Sequence, residues 1–72
     1  MIYKFTTIIQ QEGKLFVASC VELGVVSQGK SVEQAQKNLK EAVELFLQDN
    51  PKLKKELFSQ PPLITTFEIG YV

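Results

Sequence analysis

One stretch limits the folds open to this chain. Residues 31–48 carry its only long helical periodicity. Val32, Ala35, Leu39, Ala42, Val43 and Phe46 are spaced so that they share one face of a 3.6-residue helix, with Leu45 and Leu47 widening the stripe near its end. Glu33, Lys37, Lys40, Glu41 and Glu44 fall on the opposite face, where a solvated, charge-laced surface is the ordinary reading. Ser31 stands where an N-cap belongs and Gln34 follows three residues later, a Ser-x-x-Gln capping box. Asp49-Asn50-Pro51 ends the helix, because proline disfavours helical geometry in the residue before it. Everything else in the chain reads as short strands and turns, which need this helix to close a core.

Residues 2–10 alternate as a strand, with Tyr3, Phe5, Thr7 and Ile9 on the core face. Gln11-Glu12-Gly13 is the expected turn, and residues 14–21 form the second strand of a hairpin. That strand is apolar on both faces, as strands covered on both sides are. Glu22-Leu23-Gly24 breaks it, residues 25–28 form a short third strand, and Gly29 stops that strand just before the helix. After the helix, residues 52–58 suit a second short helix, Pro61-Pro62 breaks it, and residues 63–72 read as a final strand with Leu63, Thr65, Phe67, Ile69 and Tyr71 on one face. The expected class is α+β in the order strand, strand, strand, helix, short helix, strand: an antiparallel-rich sheet with the helix on one face, in a single domain over residues 1–72. Ile2, Ile8, Val17, Ile64 and Val72 are left for the other sheet face, an apolar remainder that suits a partner, a second copy included, and equally suits the scattered surface aliphatics that are ordinary on a globular protein.

Composition narrows the function. Eight basic and eight acidic side chains cancel, so the charge footprint that phosphate backbones require is missing. A single cysteine, Cys20, cannot form an internal disulfide. With a strand-like start in place of a signal peptide, and no membrane-length apolar run, the expected location is the cytoplasm.

Candidate chemistry is sparse. Histidine is absent, which removes the commonest general base and metal ligand. Glu22 and Glu68 could approach each other and hold a metal ion for nuclease chemistry, yet two carboxylates without a second acidic cluster more often form a solvated surface. Cys20 has no histidine or cation beside it in sequence, and a packed thiol is the simpler reading. Gly13, Gly24 and Gly29 are too dispersed for a phosphate loop. Lys52, Lys54 and Lys55 sit beside Leu53 and Glu56, as on the polar side of a short helix. No catalytic residue, cofactor or metal is expected.

The segment Val-Glu-Leu-Gly-Val-Val-Ser-Gln-Gly-Lys-Ser over 21–31 runs directly into Val-Glu-Gln-Ala and then Asn38-Leu39-Lys40-Glu41-Ala42. This resembles the HicB-like antitoxin family, whose usual pattern is Pro-Glu-Leu, a Gly, Ser-Gln-Gly or similar, a polar residue, Thr or Ser, then Glu-Glu-Ala and Asn-Leu-Lys-Glu-Ala. The resemblance spans the chain and is densest over 16–47. It implies a partial RNase-H-like fold and a type II antitoxin that binds and masks a small HicA-like mRNA endoribonuclease, with no nuclease activity of its own. Val21 stands where many relatives have proline. Full-length family members carry a DNA-binding segment after the last strand; this chain reads as a short form without it, so no DNA binding is expected. An orphan homo-oligomeric interaction domain of the same fold is the alternative, and a metal-dependent nuclease a remote one. A homodimer or higher homo-oligomer is expected in either binding role. The residues nominated for partner contact are Glu22, Leu23, Ser27, Gln28, Phe67 and Ile69.

Overall fold

The computed structural model describes residues 3–52 and 62–71. Three strands, β1 (Thr7–Glu12), β2 (Leu15–Cys20) and β3 (Val26–Gly29), are followed by one helix, α1 (Val32–Asp49). The strands form an antiparallel meander in the order β1-β2-β3.

The β1–β2 register runs from Thr7 opposite Cys20 to Glu12 opposite Leu15. It is set by a two-residue turn, Gly13-Lys14, whose first residue has φ +62°. A positive φ at the first turn position and not the second is the type II′ pattern, which matches the right-handed twist of paired strands. The strand therefore persists to Glu12, two residues beyond the expected end. It starts at Thr7 and not at residue 2, because Thr7 faces the last residue of β2. Gly24, with φ +71°, turns the chain from β2 to β3. There the Cys20 N–H donates to the Val25 carbonyl at 2.8 Å, and the Gly24 N–H to the Cys20 carbonyl at 2.9 Å.

The junction into α1 is tight. β3 ends at Gly29, which is its last residue and is buried. A Cβ placed on it would lie 2.5 Å from the Ala35 nitrogen and 2.8 Å from the Gln34 carbonyl carbon. Only glycine lets strand and helix approach so closely. Ser31 caps the helix, its hydroxyl accepting from the Gln34 N–H at 3.1 Å. The return bond reaches one residue further than the expected box: Gln34 Oε1 accepts from the Lys30 N–H at 2.7 Å. Asn38 Nδ2 donates to the Gln28 carbonyl at 2.8 Å and ties the second turn to β3. At the other end Asn50 closes the helix with its own N–H on the Leu47 carbonyl and its amide on Phe46. Pro51 then prevents continuation.

The core is small. Ala18, Cys20, Ala35, Leu39 and Val43 are buried, and Phe5, Ile9, Phe16, Leu23, Val25 and Leu47 pack around them. Of the expected helical stripe, Val32 and Leu45 are exposed. Val32 is the first helical residue. Leu45 is six positions from Leu39, about 120° round the helix at 100° per residue, and so points off the packed face.

The expected fourth strand is not formed. Residues 62–71 carry no regular structure and every one of them is exposed. Alternating apolar residues specify a strand only when an edge lies beside them to pair with, and the single chain does not place this segment against its own sheet. Ile64 consequently belongs to this tail and not to the outer sheet face. Ile8 and Val17 do lie on that face, joined by Val26, with Gln10, Ser19 and Gln28 interspersed. Ile2, Val72 and the short helix expected over 52–58, Lys52 apart, fall outside the described residues.

Candidate interaction site

A helix is about 10 Å across, and three strands spaced about 4.8 Å apart present a wider face. One helix cannot cover it. Here α1 lies over β3 and β2 and reaches β1 only at its margin. A groove of about 630 Å³ remains on the β1 side. Tyr3, Phe5 and Thr7 line it from the sheet side, and Leu39, Val43 and Leu47 from the helix. Its rim is polar, with Lys37 and Lys40 flanked by Glu33 and Glu44 along the helix. The groove is thus apolar within and charge-balanced at the edge, which suits an apolar chain segment better than a phosphate. Tyr3 and Phe5, expected on the core face, are half-buried and line this groove, and Phe5 also packs against the core; the mismatch between one helix and a multi-stranded sheet was the available signal for the groove.

The nominated contact residues occupy three places. Glu22 and Leu23 lie in the turn after β2. Ser27 and Gln28 are on β3, pointing to opposite faces. Phe67 and Ile69 are exposed on the tail.

Glu22 has a structural task. Its two carboxylate oxygens accept from the Thr6 N–H and the Thr6 hydroxyl, each at 2.8 Å, which fastens the start of β1 to the β2 turn. Burial opposes ionisation of this carboxyl, but the bonds from Thr6, with smaller help from its own backbone and the Cys20 thiol, outweigh it and hold the pKa below the ordinary 4.5. Leu23 packs against the core beside it.

Cys20 is buried, its Sγ 3.8 Å from Glu22 Oε1. Burial chiefly, reinforced by the neighbouring Glu22 charge, pushes its thiol above the ordinary 9.0 despite backbone hydrogen bonds at Leu23 and Glu22. A protonated, shielded thiol is a poor nucleophile. Among the described residues no group of three or more Cys, Asp or Glu side chains could hold a metal ion. No helix among them is long and apolar enough to cross a membrane.

The fold defines a small α+β domain, a three-stranded antiparallel sheet backed by one helix. Comparison with protein-family models, with curated proteins and with solved structures finds no match.

Proposed function

We propose that this chain is a binding protein of the HicB-like antitoxin type, which masks a small HicA-like mRNA endoribonuclease and has no catalytic role. The observation that carries the reading is the pair of unfilled surfaces on so small a domain. An apolar groove lies beside the sheet edge, and a ten-residue tail holds Leu63, Ile64, Phe67, Ile69 and Tyr71 exposed. Exposed apolar area on this scale marks interaction sites. The family resemblance over residues 21–47 supplies the kind of partner, and the meander running through a capped junction into one helix suits the partial RNase-H-like arrangement that the resemblance implies.

The other edge of the sheet, β3 with the preceding turn, is where the toxin would contact Glu22, Leu23, Ser27 and Gln28. Val21 and Val26 are exposed along this segment and add apolar contact area. Co-expression with the small basic ribonuclease encoded by a neighbouring gene tests the proposal. The expected result is a co-purifying complex in which mRNA cleavage is suppressed, and Val26→Glu releases it. Failure to co-purify, with cleavage undiminished, overturns the antitoxin reading.

A further inference from the structure

The tail and the groove fit one another. Leu63, Phe67, Ile69 and Tyr71 are 92%, 83%, 72% and 98% exposed, and with Thr65 they would share one face of a strand. The groove they would fill is apolar and borders β1, an outer strand of the three-stranded sheet. A strand laid along β1 would meet the sheet edge with its backbone and set alternate side chains against Val43 and Leu47 of α1. Glu68 and Thr66, on its other face, would remain in water.

The structure also separates the two. The radius of gyration is 14.4 Å, where a compact chain of this length gives about 11 Å. Among the described residues none of the tail lines the groove, and every residue of the tail is exposed. An element that does not dock on its own body is the kind that exchanges between identical copies.

We infer that residues 62–71 of one copy pair with β1 and fill the groove of a second copy, in a reciprocal, strand-exchanged homodimer. Two-fold symmetry makes the contact self-complementary: each copy gives a tail and receives one. Phe67 and Tyr71 from both copies together bury roughly 600–1,000 Å² at about 150–250 Å² per ring. Leu63 and Ile69, with the groove walls, bring the total into the roughly 1,200–2,000 Å² range of stable interfaces. The polar rim adds no net charge to oppose association, since Glu33 and Glu44 balance Lys37 and Lys40. The assembly uses the groove and tail that support the function proposed above and leaves the β3 edge open to the toxin; it needs no toxin itself, so sedimentation of the chain alone tests it separately.

Two measurements on the full chain test it. Sedimentation at micromolar concentration is expected to give twice the 8.1 kDa chain mass. The double variant Phe67→Asp, Ile69→Asp is expected to keep its helical circular dichroism while its dimer dissociation constant rises by about a hundredfold or more. Should that variant fail to fold, the second measurement decides. A photo-crosslinker at position 67 in an equal mixture of isotopically light and heavy chains should join peptides of α1 or residues 3–7 as mixed light–heavy pairs. A monomeric mass overturns the inference. So does crosslinking confined to a single chain, which would mean the tail folds back on its own groove. A dimer that survives the double variant, or one whose position 67 crosslinks elsewhere, assigns the contact to another face and overturns it equally.

Discussion

Replacing Gly29 by alanine puts a methyl group where the first turn of α1 already is. The added Cβ would stand 2.5 Å from the Ala35 nitrogen, 2.8 Å from the Gln34 carbonyl carbon and 3.0 Å from the Ala35 Cα, whereas ordinary contact begins at 3.4 Å. All three are backbone atoms, so no rotamer change relieves the clash; the helix start must retreat by about 1 Å or β3 must bend. Retreat is resisted at several points. The Ser31 carbonyl accepts from Ala35, the Ser31 and Gln34 side chains hold the cap, and Asn38 grips the Gln28 carbonyl. Overpacking of this kind costs about 1–3 kcal/mol, and a disturbed cap about 1 kcal/mol more. Against that, alanine in an extended position recovers about 0.5–1 kcal/mol of chain entropy. The net expectation is a loss of about 2–3 kcal/mol, a large part of the roughly 4–11 kcal/mol available to a domain of this length. Urea unfolding followed by circular dichroism at fixed protomer concentration would read this as a midpoint lower by about 2–3 M, taking a slope near 1 kcal/mol/M. Gly70→Ala, where a Cβ meets nothing within 4 Å, is the control and should move the midpoint little. A Gly29→Ala protein within about 0.5 kcal/mol of the original would refute the close-approach argument.

Three further outcomes follow from the geometry. Ser31→Ala removes the acceptor for the Gln34 N–H and should lower unfolding stability by about 1 kcal/mol; no change in the urea midpoint would mean that the cap contributes nothing. Because Glu22 has a lowered pKa in the fold, the unfolded chain binds more protons around that pH. Its stabilising contribution is therefore present above the ordinary 4.5 and is lost as pH falls through the depressed value. Glu22→Gln should flatten the acid side of the stability–pH curve, and an unchanged acid limb would refute the assignment. Cys20, buried with a raised pKa, should react with a thiol reagent much more slowly in the native protein than in urea; equal rates would contradict the packing.

Much of the scaffold could be read from residue order because it rests on local rules. The Ser31 cap, the Pro51 stop, the positive φ at Gly13 and the 3.6-residue stripe each act over a few positions, and each appears in the structure. Misreadings arose where an outcome depends on what lies beside an element. Leu45 continues the apolar run but lies off the packed face. Gly29 ends β3 as its sequence position suggested, but it is also a contact point, which is visible only once strand and helix are placed together. The tail's alternation specifies a strand-forming face without saying which sheet edge it meets, so pattern alone added a fourth strand that the single chain does not form. Glu22 drew notice as an acidic residue at a strand break. Its bonds to Thr6, sixteen positions away, could not be inferred from neighbours in sequence.

The order β1-β2-β3 also separates two events in time. Each strand lies beside its neighbour in sequence, and α1 follows β3 across the two residues Lys30 and Ser31. The body can therefore form by closing short loops, a fast search whose rate does not depend on how many copies are present. In the dimer proposed above, docking of a tail into another copy would be bimolecular and would slow with dilution. On that proposal, a cell making little of this protein would hold folded bodies with open grooves, and the assembled form would accumulate only as expression rises.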